Sequence, residues 1–269
     1  MLCQLSYRGD RHHPRRRGTR APSGVGRTVV LVTTTAAPRV LSFSSVAFVA
    51  VAAAHLVSLL PGTPEALNLA TKPAIVPLLA FAVFAAIPGR RPPSLLLAAL
   101  TASFVGDLLL MVPGTEWFLG GVAAFLVAQA LLLALLLPRT AGRPLVLPVA
   151  GYLVVFAGLL LLLGPALGGL LPVLAVYGAV LCAMGAVASR GGLVLALGGA
   201  SFVVSDALLA IAKFLPGWDQ PVVHIVTMAT YSAAQALIAL GVLRLDWRRA
   251  GAPRAVPADG AEHHGRHAL

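Results

Sequence analysis

Charged residues are scarce in this chain, and cysteine is nearly absent from it. Only 11% of its 269 residues are charged, against roughly 25% in a soluble globular protein, whereas 58% are hydrophobic. One water-soluble core cannot bury that much apolar surface, so the lipid bilayer is the expected solvent. The two cysteines, one in a basic tail and one in an apolar run, exclude a disulfide framework and a thiolate metal site.

The charge that is present is strongly positive, which at first suggests nucleic-acid binding. The formal net charge is +11, but eight arginines fall within the first 39 residues and nearly all other basic residues fall in short loops or the C-terminal tail. Such a distribution is typical of membrane topology. A nucleic-acid partner is therefore not expected.

Eight long apolar runs divide the body of the chain. Most are close to the ~20 residues that cross a bilayer as a helix, and turn-forming Pro and Gly residues separate most neighbours. The runs are 40–60, 73–87, 93–112, 117–137, 144–164, 170–189, 192–215 and 221–243. They predict an all-α membrane bundle of about eight transmembrane helices over residues 39–245, with disordered tails at 1–38 and 246–269.

The basic residues also predict an orientation. Counted by loop, 18 of the 20 lie on the side of the two termini, and the other side has only Lys72 and Lys213. Since Lys and Arg accumulate in cytoplasmic loops, both termini are expected in the cytoplasm, with the bundle in the cell (inner or plasma) membrane. Trp117 and Trp218 then lie at the outer boundary and Trp247 at the inner one, as in an aromatic belt.

A short internal similarity links the third and fourth runs to the seventh and eighth. Residues 103–109 (SFVGDLL) resemble 201–209 (SFVVSDALL), and 128–131 (AQAL) equal 234–237. Copies four helices apart would have the same orientation, which favours a four-plus-four parallel repeat with a binding site between the halves.

Two carboxyl groups are predicted to lie inside the membrane. Of nine acidic residues, only Asp107 and Asp206 fall well inside apolar runs, both in the outer halves of their helices. A carboxylate there is costly unless it is neutral, paired or facing a polar cavity, so these two are the candidate catalytic residues. The alternative is a structural role, in which each locks helices together, with Lys213 or Lys72 as partner.

Further polar side chains follow one face of the last run and predict a cavity wall. They recur at helical spacing: His224, Met228, Tyr231 and Gln235. Interhelical hydrogen bonding as packing is the alternative for Tyr231 and Gln235, and the same choice applies to Gln129 and Ser205.

The sequence does not favour a metal site or a serine nucleophile. His55 stands alone among Ala and Leu residues and is interpreted as a packing residue. The apolar runs contain no His-x-x-x-His or Glu-x-x-His spacing, so neither a metal nor a cofactor is expected. The chain also has no Gly-x-Ser-x-Gly sequence, which speaks against a serine hydrolase.

Five blocks resemble the successive motifs of the YhhN family and span nearly the whole membrane body. They are Thr71-Lys72-Pro73, Val105-Gly106-Asp107-Leu108-Leu109, Phe118-Leu119-Gly120-Gly121 with Phe125 and Gln129, Gly199-Ala200-Ser201-Phe202 with Ser205-Asp206, and Tyr231-Ser232-Ala233-Ala234-Gln235. The family includes lysoplasmalogenases, which hydrolyse the vinyl ether bond of lysoplasmalogens to a fatty aldehyde and a glycerophospho-alcohol. Many relatives have a histidine in the fourth helix where this chain has Gln129, which speaks against an acid–base role there.

The resemblance implies an ether hydrolase acting on a lysophospholipid from the outer leaflet. A protonated carboxylic acid would give a proton to carbon, and an ionised carboxylate would stabilise the cation or activate water. Asp107 and Asp206 are expected to share these roles, and Lys72, with Lys213 as a second candidate, to bind the phosphate. The remaining candidate substrate-binding residues are Gln129, Ser205, His224, Tyr231 and Gln235.

Two other functions are compatible with the same residues. A proton-coupled small-molecule or lipid transporter could use the intramembrane aspartates between repeat halves. It would need a polar route through the inner half, which is nearly pure Leu, Val and Ala. A purely structural protein would instead point the aspartates at separate lysines. The oligomeric state is left open.

Overall fold

A computed structural model describes residues 37–87, 91–142, 144 and 146–251, and within them the chain forms eight α-helices and no strand. A single 3₁₀ turn, Gly168–Leu170, joins the fifth helix to the sixth. The helices are α1 (Ala37–Ser58), α2 (Glu65–Ala86), α3 (Ser94–Leu110), α4 (Thr115–Thr140), α5 (Val146–Leu167), α6 (Leu171–Ser189), α7 (Leu193–Phe214) and α8 (Pro221–Gly251).

Length and apolar composition identify the chain as a multi-pass membrane protein. Five helical stretches of the described residues are long and apolar enough to cross a bilayer. Four of them correspond to α2, α4, α7 and α8, and the fifth is the 43-residue run Leu147–Ser189, which contains both α5 and α6. The apolar stretches of α1 and α3, Phe43–Ser58 and Ser94–Leu110, are shorter.

The 43-residue run folds back on itself. Gly168 has a positive φ of 50°, which suits the reversal because glycine has no Cβ to clash there. Beyond the turn, the ring of Phe156 packs on Gly178 and the ring of Tyr152 packs on Gly185. Since earlier residues of α5 meet later residues of α6, the two helices are antiparallel neighbours.

Two helices extend furthest beyond the apolar runs that predicted them. α2 begins at Glu65 rather than at residue 73, because residues 65–72 continue the helix with polar side chains that an apolar criterion rejects. α8 continues to Gly251, six residues into the predicted C-terminal tail. Arg139 of α4 pairs with Asp246 at 2.9 Å and so ties this extension to the bundle. The rest of both predicted tails lies outside the described residues.

Small residues let the helices approach closely at the centre of the bundle. Gly106 of α3 lies against the ring of Phe125 on α4, and Gly198 of α7 lies against Ile238 on α8. Such glycines are common where membrane helices pack. α4 also packs on α6, and α2 packs on α8. This packing brings α3, α6, α7 and α8 together around the two candidate aspartates.

Candidate active site

Asp107 is held in the interior of the bundle by the last helix. The carboxyl is buried, and the hydroxyl of Tyr231 on α8 donates a hydrogen bond of 2.7 Å to its Oδ2. Gln235, one turn further along α8, donates from Nε2 to the Tyr231 hydroxyl at 3.1 Å. The predicted polar face of the last helix thus contributes two residues that form one hydrogen-bonded chain ending on Asp107.

Asp206 is held by a different helix. Tyr177 of α6 donates its hydroxyl hydrogen to Oδ2 of Asp206. The sequence reasoning did not identify Tyr177. The available signal was a single tyrosine in an otherwise apolar run, and nothing in the sequence indicated that it faces Asp206.

Gln129 lies beside this second pair. Its amide is close to the hydroxyl of Tyr177, and the residue is fully buried. Neither its Oε1 nor its Nε2 forms a hydrogen bond of ordinary geometry with the described residues, although the amide is near enough to that hydroxyl to interact with it electrostatically. Buried polar atoms are normally paired with protein or ordered water, so this amide is prepared for a small polar partner.

The two aspartates are near each other. Their carboxyl groups interact electrostatically with each other, and Tyr231 interacts with both. The rings of Phe125 and Phe202 pack edge-on against Tyr231, with centroids 5.9 and 5.7 Å away. These contacts fix the tyrosine ring and therefore the direction of its hydroxyl group.

Lys72 is a further neighbour of Asp107. It is partly buried on α2 and interacts electrostatically with Asp107, although the two form no direct ion pair within 4.0 Å among the described residues. Its charge is therefore close enough to influence the carboxyl while the ammonium hydrogens stay available to another group. The same lysine interacts with the ring of His55 on α1.

Three other candidates lie apart from this cluster or have local partners. The ammonium of Lys213 lies 5.4 Å from the ring centre of Phe118. His224 is exposed and bonds to Asp219 at 2.6 Å. Ser205 donates to the backbone oxygen of Thr227 at 3.0 Å, a packing contact between α7 and α8. Substrate contacts by these residues stay predictions.

An apolar cavity opens next to Asp206. Asp206 and Tyr177 are the polar groups of its wall, which otherwise consists of hydrocarbon and aromatic side chains from α3 to α7. These include Phe118, Val122, Phe156, Leu163, Leu181 and Ala210. A hydrocarbon chain would find an apolar surface here, with a carboxyl group at its edge.

Fold and site together define a polytopic helical membrane protein with two buried, interacting carboxyl groups, one of which lines an apolar cavity. Among the residues that the structure describes, no three or more His, Cys, Asp or Glu side chains cluster as metal ligands would. The chain belongs to the YhhN family, whose sequence profile matches residues 67–242.

Several curated relatives that match this chain are named lysoplasmalogenase. Lysoplasmalogenase TMEM86B of Rattus norvegicus is 37% identical over 172 residues, which is 62% of this chain and 70% of that protein. The Mus musculus protein of the same name is 38% identical over 62% of this chain and 73% of its own length. Lysoplasmalogenase of Mycobacterium bovis is 32% identical over 54% of this chain and 59% of its own. No solved structure matches the chain.

Proposed function

We propose that this protein is a membrane-embedded lysoplasmalogenase, which hydrolyses the vinyl ether bond of a lysophospholipid to a fatty aldehyde and a glycerophospho-alcohol. The observation that carries the proposal is a pair of buried carboxyl groups that interact with each other, one of which, Asp206, lines an apolar cavity. Membership of the YhhN family and the relatives named lysoplasmalogenase support it. We do not propose the transporter alternative, because no described contact favours it.

The reaction sets clear requirements. A proton must reach the second carbon of the alkenyl chain, which leaves an oxocarbenium ion at the first carbon. Water then attacks that first carbon, and the resulting hemiacetal breaks into aldehyde and alcohol. One water molecule is consumed and the proton is returned. The site must therefore supply an acid, a group that stabilises positive charge, and a placed water molecule.

The two aspartates divide these roles by position. Asp206 is in the wall of the apolar cavity, so it is the carboxyl that meets the first carbons of the chain, and we assign it as the proton donor. Asp107 is further inside, between Tyr231 and Lys72. We assign Asp107 as the carboxylate that stabilises the oxocarbenium ion and accepts a proton from water.

Gln129 is assigned to hold the water. Its buried amide forms no hydrogen bond of ordinary geometry with the described residues, and it lies beside the Tyr177 hydroxyl that bonds to Asp206. A glutamine does not titrate, so it positions the water and leaves the proton transfers to the aspartates.

The proposed placement of the substrate follows from these roles. The alkenyl chain occupies the apolar cavity, the scissile bond lies between the two carboxyl groups, and the phosphate lies on the side of Lys72. A lysine near an anionic head group contributes charge without needing a fixed geometry. The contacts on the Asp107 side thus serve the head group and those on the Asp206 side serve the chain.

The finer topology also belongs to this proposal. We propose eight spans, because the reversal at residues 168–170 separates α5 from α6. A four-plus-four repeat is supported by two pairs of matching contacts. α4 packs on α6 as α2 packs on α8. Lys72 of α2 is near Asp107, and Tyr177 of the corresponding helix, α6, bonds to Asp206. We also propose that the bundle lies in the cell membrane and that both termini are on its cytoplasmic side.

Aldehyde release tests the function directly. Purified protein in lipid vesicles is given a lysoplasmalogen, and released aldehyde is measured for the wild type, Asp107→Asn, Asp206→Asn and a matched control, Asp219→Asn. We expect the wild type and Asp219→Asn to be active, because Asp219 is exposed and its carboxylate bonds to His224 rather than to either site aspartate's partners. Each other variant should lose on the order of 10²-fold or more in kcat. The proposal would be overturned if the wild type released no aldehyde, or if Asp107→Asn and Asp206→Asn both kept wild-type activity.

A further inference from the structure

His55 is a buried histidine, and only one of its two ring nitrogens has a hydrogen-bond partner among the described residues. It lies near the end of α1 and is 1% exposed. Its Nδ1 faces two hydroxyl groups, Thr71 Oγ1 at 3.0 Å and Ser58 Oγ at 3.4 Å. Its Nε2 is buried and has no hydrogen-bond partner among the described residues. A packing role accounts for the first nitrogen and leaves the second unexplained.

The neighbouring hydroxyl groups fix which nitrogen holds the ring hydrogen. Thr71 already donates its single hydroxyl hydrogen to the backbone oxygen of Leu67 at 2.6 Å. Ser58 likewise donates to the backbone oxygen of His55 at 2.6 Å. Both hydroxyl groups can therefore only accept from the ring, which places the hydrogen on Nδ1. In the neutral ring, Nε2 then has a bare lone pair that needs a donor.

His55 and Asp107 have a common neighbour. Lys72 interacts electrostatically both with the ring of His55 and with Asp107. His55 therefore lies on the side of Asp107 that is proposed to receive the head group. A phosphate offers only acceptors, so it would leave the lone pair of Nε2 unpaired. The partner has to offer a hydrogen.

We propose that His55 is a specificity residue, whose Nε2 accepts a hydrogen bond from the free hydroxyl group of the substrate glycerol. The inference rests on the proposed function. A lysolipid has this hydroxyl on the carbon next to the one that bears the vinyl ether, whereas a lipid acylated at that position has no hydrogen to donate. The lone pair of His55 thus distinguishes the lyso form from the acylated one.

The test is a comparison of two substrates across matched variants. Choline lysoplasmalogen is suitable because its head group has no N–H donor, so its glycerol hydroxyl is its only neutral donor. Its counterpart is the 2-deoxy analogue, which lacks that hydroxyl. The quantity measured is the ratio of kcat/KM for aldehyde release from the two lipids.

The wild type should prefer the hydroxyl-bearing lipid by about tenfold or more, because a site built for a hydrogen bond rejects an analogue that lacks it. In His55→Leu the ratio should fall to near one. His55→Gln, which places an amide oxygen near the position of Nε2, should restore part of the preference. Ser58→Ala, which changes only the Nδ1 side, should keep the wild-type ratio.

A merely structural histidine would give a different pattern. If His55 only packs α1 on α2, then His55→Leu lowers turnover of both lipids equally and leaves the ratio unchanged, which overturns the inference. Equal use of both lipids by the wild type also overturns it, while the proposed hydrolase stands. If the wild type releases no aldehyde from either lipid, the proposed function fails and the inference fails with it.

Discussion

At the scale of single residues, each aspartate of the site depends on a tyrosine from a different helix. Tyr231 reaches Asp107 from α8, and Tyr177 reaches Asp206 from α6. The two pairs differ in their second neighbours, since Lys72 is near Asp107 and the apolar cavity is beside Asp206. Two chemically identical side chains thereby have different surroundings, as different roles in catalysis require.

Gln129 provides a residue-scale prediction in which stability and activity change in opposite directions. Gln129→Leu replaces a buried amide that forms no hydrogen bond of ordinary geometry with the described residues by an apolar group of similar size, and should stabilise the fold by about 1 kcal/mol. The same change removes the proposed water site and should lower kcat about tenfold or more. Thermal unfolding and aldehyde release of the same preparation measure both effects.

The control is Gln220→Leu, at an exposed amide near the start of α8. This variant should change neither quantity appreciably. A less stable but fully active Gln129→Leu protein would show that the amide serves the fold and not the reaction.

How far the site could be predicted differs from residue to residue. Asp107 and Asp206 stand out because a carboxyl group in an apolar run is rare and costly. Tyr177 does not stand out, because a tyrosine is unremarkable in a membrane helix and only the packing of α6 on α7 reveals its partner. The sequence predicts a packing role for His55. It does not show that Nε2 lacks a partner among the described residues, because that depends on which hydroxyl groups surround the ring.

At the scale of helices, the contact between α3 and α4 supports the site from outside. Gly106 immediately precedes Asp107, and a methyl group there would come within 2.7 Å of the ring of Phe125. Phe125 in turn packs against Tyr231. A disturbance at Gly106 is therefore transmitted to both partners of the hydrogen bond that holds Asp107.

Gly106→Ala should accordingly lower both stability and activity. We expect a loss of about 1–3 kcal/mol from overpacking and a decrease in kcat, because the Phe125 ring must move. Gly158→Ala on α5 is the matched control, since a methyl group there meets nothing within 4 Å. If Gly106→Ala behaves like Gly158→Ala in thermal unfolding and turnover, the α3–α4 contact does not position the site.

The helices themselves were predicted with uneven success, for a physical reason. Apolar runs indicate the part of a helix that contacts lipid, so they located all eight helices but missed the polar first residues of α2 and the last turns of α8. The extension of α8 is stabilised by the Arg139–Asp246 pair. Such a pair between distant residues is not visible in the local pattern.

At the scale of the whole molecule, different helices form the surroundings of the two aspartates. The cavity wall comes from α3 to α7, while His55 and Lys72 come from α1 and α2. Asp206 is part of the cavity wall, and Asp107 interacts electrostatically with both Asp206 and Lys72. This arrangement predicts that changes in the cavity affect chain preference and changes in α1 or α2 affect head-group preference.

Ala210→Phe tests the first half of that statement. Ala210 is one turn after Asp206 in the cavity wall, and a larger side chain there should shorten the space for the alkenyl chain. We expect KM for a long-chain lysoplasmalogen to rise about tenfold, with a smaller effect on a short-chain one. Ala130→Phe, on an exposed face of α4, is the control. An equal effect of Ala210→Phe on both chain lengths would place the chain elsewhere.

The most direct measurement of the central claim is the position of hydrogen in the product. Lysoplasmalogen is hydrolysed in heavy water, the aldehyde is trapped at once by reduction, and its mass and the site of labelling are determined. If Asp206 delivers a solvent-derived proton to carbon, the product has one deuterium on the carbon next to the former carbonyl group, and Asp206→Asn forms no product above the protein-free background. An unlabelled product, or a labelled product formed equally fast by Asp206→Asn, would contradict the account.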